Sequence, residues 1–313
     1  MNKRKSAALA LATFTFSAFS TIAATPANAA PVCAGAGQPT VPAASVPGAA
    51  LEGITVDGGG RAFVTDLVSG RVFRIDAPGA PPVPIATVPS GGGGALAWST
   101  DGKLLVGYGA DARAVVDDTL RQSGIVKVDP DTGAVQPFAA GLSAANGMDV
   151  AHDGTVYATN DFGSLVGRVY PNGVVQADWG NFPSANGAVL SRDNQFLYVS
   201  RTFVNPGVSR IPTAAPWAPQ SLLDLGPLDA PDGLTLDSLE RPVVPFNPSG
   251  QVVRIDAPGQ YCALGFGPQL TSEVIYGRGG QGFSAGRLFG ITFTGLVYEI
   301  PGGFDPNAVT PTP

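Results

Sequence analysis

Four residues whose side-chain oxygens can bind a metal ion occupy the same position in copies of one repeated sequence pattern. The pattern opens with a polar residue, usually followed by glycine, and continues with alternating apolar residues, a turn and a second apolar run. The four polar residues are Glu52, Asn146, Asn186 and Asp232. Carboxylate and amide oxygens, without histidine or cysteine, select hard cations such as calcium or magnesium over zinc or copper. If these side chains converge, they predict a site for one divalent metal, with calcium favoured.

A structural interpretation of each single copy competes with this one, because Asn-Gly and Asp-Gly are common turn dipeptides. That interpretation does not account for Glu52, since glutamate does not favour turns, or for the position shared by four copies. The other two copies open with Gly94 and Ser272, so none opens with a large apolar residue. Two carboxylates brought together would raise each other's pKa unless a cation offset their repulsion. The set as a whole favours a metal site.

The elements that carry these positions are predicted to be blades of a β-propeller. The copies begin at residues 52, 94, 146, 186, 232 and 272, a period of about 40 to 50 residues. Alternating apolar residues around an Asp- and Gly-rich turn indicate a β-hairpin, and a further pair of strands follows. The sequence therefore predicts an all-β fold, a six-bladed β-propeller with four-stranded blades around a central channel. The residue that opens each innermost strand would point at the channel axis.

The predicted organisation has four parts: a signal peptide at 1–29, an N-terminal segment with a ring-closing strand at 30–47, the propeller at 48–303 and a disordered tail at 304–313. A basic start, an apolar stretch and an Ala-x-Ala cleavage pattern at Ala29 indicate the signal peptide. A membrane anchor is the alternative, although the stretch is rich in Ala, Ser and Thr and no second long apolar span follows. We therefore expect a secreted or periplasmic protein.

Composition and cysteine content agree with this picture. The 42 glycines, 29 prolines and 13% charged residues exclude a helical bundle, while 44% hydrophobic residues suffice for a core. The 24 acidic residues outnumber the 18 basic ones, which argues against nucleic acid or an anionic membrane as partner and leaves a small-molecule substrate. Outside the cytoplasm the pair Cys33 and Cys262 predicts a disulfide that would reinforce ring closure, with two free thiols as the alternative.

Three motifs, NGMDV, NGAVLSRDNQFLYVS and PDGLTLD, resemble those of the senescence marker protein, gluconolactonase and luciferin-regenerating-enzyme family of six-bladed propellers. The resemblance spans roughly residues 48 to 302. It implies a catalytic calcium or other divalent ion in the central channel and hydrolysis of a lactone or related ester. It also implies that Glu52, Asn146, Asn186 and Asp232 hold the metal and that Asp232 serves as base or nucleophile. The family's usual Gly-Pro is Gly53-Ile54 here, which leaves the substrate class open.

Side chains that end the second strand of each copy are predicted to share the metal face and to form the substrate pocket. These residues, with the opening residue of the sixth copy, are Asp66, Tyr108, Asp161, Arg201, Asn247, Thr292 and Ser272. Arg201 is the only cation among them and would either orient an anionic group or form a surface ion pair. His152 falls in a turn on the opposite face. An insertion from Asp111 to Gln122 lies on the metal face, as a lid or as an ordinary loop.

Two other functions fit the sequence. One is a non-catalytic secreted propeller that binds a ligand or a partner protein around a structural calcium, because fold alone does not determine function. The other is a synthase-like propeller resembling strictosidine synthase, in which a glutamate does acid–base work without metal. The two asparagines and the aspartate argue against the second. The sequence thus favours a secreted calcium-dependent hydrolase of the gluconolactonase type.

Overall fold

The computed structural model of the protein describes residues 30–88 and 91–313, so the predicted signal peptide lies outside the described residues. The first strand, β1 (Val41–Ser45), precedes the blades. Blades one and two hold β2 (Leu51–Val56), β3 (Ala62–Asp66), β4 (Arg71–Ile75), β5 (Val83–Thr87), β6 (Leu96–Trp98), β7 (Leu104–Tyr108), β8 (Ser123–Val128) and β9 (Val135–Leu142). Blades three and four hold β10 (Met148–Val150), β11 (Val156–Ala158), β12 (Leu165–Val169), β13 (Val175–Asn181), β14 (Ala185–Leu190), β15 (Phe196–Arg201), β16 (Gly207–Pro212) and β17 (Gln220–Asp224). Blades five and six hold β18 (Thr235–Leu236), β19 (Pro242–Phe246), β20 (Gln251–Ala257), β21 (Gln260–Phe266), β22 (Thr271–Tyr276), β23 (Leu288–Thr292) and β24 (Leu296–Glu299).

These strands form six separate sheets of four strands each, and each sheet is one blade. In five blades the four strands follow one another in chain order. The sixth blade consists of β22, β23 and β24 with β1 as its outermost strand, paired antiparallel to β24. The prediction of an all-β, six-bladed propeller is therefore confirmed.

Helix is confined to three short turns in the described ranges, which are Ala112–Val115, Asp117–Leu120 and Pro301–Gly303. No helix there is long and apolar enough to cross a membrane.

Burial decreases from the inside of a blade to its outside. Every residue of β2 and of β14 is buried, whereas no residue of the outermost strand β5 is. Innermost strands pack against both neighbouring blades, and aromatic contacts join the blades. Phe63 of blade one, for example, meets Trp98 of blade two edge to face at 5.5 Å between ring centroids. A charged or amide side chain at the start of such a buried innermost strand is therefore unusual, and packing of the core does not account for it.

The N-terminal segment joins two blades. A disulfide links Cys33 to Cys262 on β21, with 5.0 Å between the two Cα atoms, as predicted. The backbone N–H of Cys33 also donates to the carbonyl oxygen of Ala263 at 2.9 Å. The segment thus lies along the outer edge of blade five before β1 completes blade six.

The C-terminal residues 304–313, predicted to be disordered, instead pack against the face opposite the candidate site. Ala308 and Thr310 are each only 2% exposed, and the Thr310 hydroxyl donates to the carbonyl oxygen of Tyr276. The Asp305 carboxylate accepts the Ser238 hydroxyl at 2.6 Å. The prolines prevent strand pairing but not packing, which is why composition alone was misleading here.

Candidate metal centre

The four repeated polar residues line one cavity at the end of the central channel. Glu52 lies on β2 and Asn186 on β14, while Asn146 and Asp232 lie two or three residues before β10 and β18. The cavity has a volume of about 390 Å³, and all four residues are among those that line it. Each is buried, with 4% to 7% of its surface exposed. Residues separated by up to 180 positions therefore share one enclosure, as the propeller hypothesis required.

A glycine follows each of the four residues, and close approach between blades explains it. A Cβ at Gly53 would lie 2.6 Å from the carbonyl oxygen of Gly94, and one at Gly187 would lie 2.7 Å from the Cα of Gly233. Neither Gly53 nor Gly187 has the left-handed backbone of a turn glycine, and the same holds for Gly147 and Gly233. The glycines bring neighbouring innermost strands together around the axis, so the turn-dipeptide interpretation does not describe these positions.

Irregular strand pairing turns the polar side chains toward the axis. The register of β2 with β3 shifts between Leu51 and Ile54, around Glu52. The register of β14 with β15 shifts between Ala185 and Ala188, around Asn186. Such bulges re-aim side chains, and they recur next to functional sites.

Hydroxyl groups at the ends of the second strands, on the strand or directly after it, fix the backbone beside these residues. Thr65 Oγ1 accepts the N–H of Gly53 at 2.8 Å and donates to the carbonyl oxygen of Gly94 at 2.6 Å. Thr159 and Ser200 accept the equivalent glycine N–H groups of blades three and four at 3.0 and 2.9 Å. Sequence reasoning missed this set, although its members share one position in the motifs FVTD, YATN and YVSR.

Three carboxyl groups meet in the cavity, because Asp161 joins Glu52 and Asp232. Burial, reinforced by the charge of Asp161, raises the pKa of Asp232 to about 8. Burial likewise raises the pKa of Asp161 to about 7. Burial and then the carboxylates of Asp232, Asp161 and Glu273 raise the pKa of Glu52 well above its ordinary value. The chain alone thus favours the protonated forms, whereas a nearby divalent cation would lower these pKa values.

Hydrogen bonds orient several of these groups and leave others unpaired. The Asn247 Nδ2 group and the N–H of Gly233 donate to the two oxygens of Asp232 at 2.9 and 3.1 Å. The Asn186 Nδ2 group donates to Thr202 Oγ1 at 2.9 Å. Glu52 Oε2 and Asp161 Oδ1 are buried and have no hydrogen-bond partner among the described residues. Since buried polar atoms are normally paired, these two oxygens indicate a missing electropositive partner.

The ligand set fits a hard cation that accepts amide oxygens. No group of three or more His, Cys, Asp and Glu side chains with metal-site spacing occurs in residues 30–88 and 91–313. A centre at this cavity would therefore need the amides of Asn146 and Asn186 besides the carboxylates. Calcium and magnesium accept such oxygen ligands, whereas zinc prefers nitrogen and sulfur.

The remaining predicted pocket residues divide into two groups. Asp161 and Asn247 line the cavity, but Asp66, Tyr108, Arg201 and Ser272 do not. Asp66 accepts the backbone N–H groups of Ala50 and Val68 at 3.0 and 3.1 Å, so its carboxylate stabilises a turn. Arg201 forms an ion pair with Asp224 at 2.8 Å, which is the surface-pair alternative.

The other two excluded side chains are also engaged elsewhere. Ser272 Oγ donates to the carbonyl oxygen of Leu51 at 2.6 Å. The Tyr108 hydroxyl lies over Gly124 of the neighbouring strand, where a Cβ would come within 2.5 Å of it. Thr292, at the equivalent position of blade six, shares a hydrogen bond with the Thr294 hydroxyl at 2.8 Å. His152 lines a separate cavity together with the C-terminal residues.

Glu273 is a partly buried carboxyl group of the channel that sequence reasoning missed. It accepts the N–H of Ile54 at 2.7 Å, and burial raises its pKa to about 8. A register shift between Thr271 and Glu273 makes the glutamate, rather than Ser272, the inward-facing residue of β22. Glu273 lines a small cavity deeper in the channel with Asp149, not the cavity of Glu52.

An apolar ring surrounds the mouth of the cavity. Each blade contributes one residue from the loop after its second strand, and these are Leu67, Ala110, Phe162, Phe203, Pro248 and Phe293. Phe162 and Phe203 are 49% and 56% exposed, and their rings stack with 5.0 Å between centroids. The polar lining residues Glu52, Asn146, Asp161, Asn186, Thr202 and Asp232 are buried, and Asn247 is partly buried. The enclosure thus has a polar base below an apolar ring.

The insertion from Asp111 to Gln122 forms part of the same face. Ala110, directly before it, lines the cavity. The Asn160 Nδ2 group donates to the carbonyl oxygen of Ala114 at 2.9 Å, and Asp117 is fully buried. These contacts fix the insertion against blade three as a wall beside the mouth.

Solved structures of the same architecture match most of the chain. The gluconolactonase of Xanthomonas campestris is 19% identical, with a TM-score of 0.66 over 84% of this chain and 98% of that one. The calcium-binding protein regucalcin of Agrobacterium tumefaciens is 20% identical, with a TM-score of 0.66 over 87% and 98%. A luciferin-regenerating enzyme is 14% identical, with a TM-score of 0.63 over 86% and 97%. No protein-family model and no curated protein sequence matches the chain.

At these identities the likeness shows the fold. The protein is a six-bladed β-propeller of the architecture found in gluconolactonase, regucalcin and luciferin-regenerating enzyme. The resemblance inferred from the motifs is thereby confirmed at the level of the fold.

Proposed function

We propose that the protein is a divalent-metal-dependent hydrolase that opens a lactone or a related ester, with calcium as the favoured cation. One observation carries the proposal: Glu52, Asn146, Asn186 and Asp232 come from four blades into a single buried cavity. The unpaired oxygen of Glu52 and the raised pKa values support a cation there. The names of two neighbours, a gluconolactonase and a calcium-binding regucalcin, agree with it.

The four residues would hold the cation, which when bound polarises a carbonyl oxygen as a Lewis acid. Asp232 is the proposed base. Its two hydrogen bonds, from Asn247 and from the N–H of Gly233, hold the carboxylate in one orientation. Asp232 takes a proton from water as the water oxygen bonds to the carbonyl carbon, and it returns the proton to the ring oxygen that leaves. The product is a hydroxy acid, and no redox partner is needed. Direct attack by the Asp232 carboxylate is the nucleophilic variant of the same step.

The test combines metal analysis with a substrate panel. Purified protein is analysed for bound metal and assayed on lactones, aryl esters and phosphotriesters with calcium and with chelator. We expect calcium-dependent turnover of lactones or esters that falls by at least about 100-fold in Asp232→Asn, the size of a general-base contribution. The control is Asp178→Asn. Asp178 is exposed, and its ion pair with Arg121 is long, at 3.9 Å, so losing that carboxylate should change little. Unchanged rates in Asp232→Asn would exclude the mechanism.

The assay also distinguishes the binding-module alternative. A structural cation would raise the melting temperature through its binding free energy without any metal-dependent turnover. That result would leave a non-catalytic propeller.

We also propose that the protein acts outside the cytoplasm. The Cys33–Cys262 disulfide supports an oxidising compartment. Sequencing the N-terminus of the exported protein tests this proposal, and export without cleavage near Ala29 would contradict the predicted signal peptide.

A further inference from the structure

We propose that the natural substrate is a neutral lactone or ester with an apolar body, rather than a sugar lactone or an anionic ester. This inference rests on the proposed function, because it names the substrate class of the same cavity. It follows from three features of the cavity: an apolar mouth, an acidic base and the placement of the nearby cations.

The ring at the mouth contributes no polar side chain of its own. All six residues of the apolar ring, Leu67, Ala110, Phe162, Phe203, Pro248 and Phe293, lack a side-chain donor or acceptor. A polyhydroxylated ring held there would lose its hydrogen bonds to water without replacing them, which disfavours binding. An alkyl or aryl group would instead cover the exposed faces of Phe162 and Phe203. Large apolar side chains half-exposed around a cavity are a usual mark of an apolar ligand.

The charges of the cavity exclude an anion. Its ionisable lining residues are Glu52, Asp161 and Asp232, and no Lys, Arg or His is among the lining residues. The arginines nearest in sequence to the ring are paired elsewhere. Arg201 binds Asp224 at 2.8 Å, and Arg113 binds Asp111 at 2.8 Å. A phosphate or carboxylate group would therefore meet three acids and no side-chain cation.

The two halves of the cavity set the orientation of the substrate. Its carbonyl end reaches the buried polar base, and its apolar body lies within the ring. The volume of about 390 Å³ is near the lower end for small-molecule pockets, so one compact molecule fills it. The stacked rings of Phe162 and Phe203, from adjacent blades, form a continuous apolar surface at the mouth.

The experiment measures kcat/KM for γ-lactones of increasing alkyl length, with glucono-lactone as the polar comparison. Burial of a methylene predicts an increase of about two- to fourfold per added carbon until the cavity is full. Phe162→Ala and Phe203→Ala should each lower kcat/KM about tenfold more for the longest lactone than for γ-butyrolactone. Val68→Ala is the matched control, because Val68 is 77% exposed beside Leu67 but does not line the cavity.

A second measurement tests apolar binding independently of whether the protein hydrolyses lactones. Calorimetry measures the affinity of alkyl γ-lactams, which resist hydrolysis, for the whole protein and for the Phe203→Ala variant. Affinity that rises with chain length and falls in the variant supports the apolar site even if no lactone is turned over. A faster reaction with glucono-lactone, or turnover and lactam binding that are independent of chain length, would overturn the inference while leaving a hydrolase.

Discussion

Removal of divalent cations should make the stability of the protein fall as the pH rises, and calcium should reverse much of that fall. Burial places the pKa of Asp232 at about 8, against an ordinary value of 3.8. The folded state keeps this proton where the unfolded state releases it, so stability is greatest below about pH 4 and declines up to about pH 8. At about 1.4 kcal/mol per pKa unit, the loss for Asp232 alone over this whole range is on the order of 6 kcal/mol. The pKa of Asp161, raised to about 7, acts in the same direction.

Urea unfolding of the chelator-treated protein between about pH 5 and pH 8, with and without added calcium, tests this reasoning. If calcium binds the folded state as proposed, it favours the ionised carboxylates, so it should flatten the pH dependence. Asp149 and Glu273, with pKa values raised to about 6 and about 8, do not line the cavity of Glu52 and Asp232 and should keep part of the slope. Asp149→Asn is the control, because burial rather than a neighbouring carboxylate raises the pKa of Asp149, so this variant should reduce the slope by a similar amount with and without calcium. A flat profile without calcium, or the same profile in both conditions, would refute the argument.

Three further predictions concern the scaffold. Gly187→Ala should lower the free energy of unfolding by about 2–3 kcal/mol, because the new Cβ would overlap the backbone of the next blade. The control is Gly58→Ala, where no atom lies within 4 Å of the new Cβ, and it should change the same free energy by less than about 0.5 kcal/mol in the urea assay. Replacing both Cys33 and Cys262 by Ala should lower the free energy of unfolding by about 2–4 kcal/mol. Calorimetry should show unchanged metal affinity, because the disulfide lies on the outermost strand of blade five, away from the channel. Deleting residues 304–313 should lower the melting temperature by several degrees, because the deletion removes buried contacts; an unaltered melting temperature would contradict that packing.

The fold and the shared enclosure of the four polar residues could be predicted because both follow from repeated local rules. Strand alternation and turn chemistry defined the hairpins, and their period defined the blades. The polar–glycine pair was informative for a physical reason that only the structure reveals. Gly53 and Gly187 are required where innermost strands nearly touch, and the bulges beside them turn Glu52 and Asn186 inward.

The mouth of the cavity could not be predicted in the same way, because loop residues obey no alternation. Asp66 and Arg201 end their strands as expected, yet Leu67 and Phe203, one and two residues later, are the ones that line the cavity. Glu273 was missed because a bulge changes which residues of β22 face the axis, and a bulge has no clear sequence signal. A reading of the positions just after each second strand, rather than at its end, would have found the ring.

The base and the mouth of the cavity impose one common requirement on a ligand. Three carboxyl groups face at most two positive charges from a single divalent cation, so the base has no charge to spare for an anion. The apolar ring adds no compensating cation, and its low polarity strengthens any repulsion that remains. Placing like charges together in such a site costs several kcal/mol. A neutral carbonyl compound avoids that cost on entry, which is why the charge of the base and the apolar character of the mouth independently favour the same substrate class.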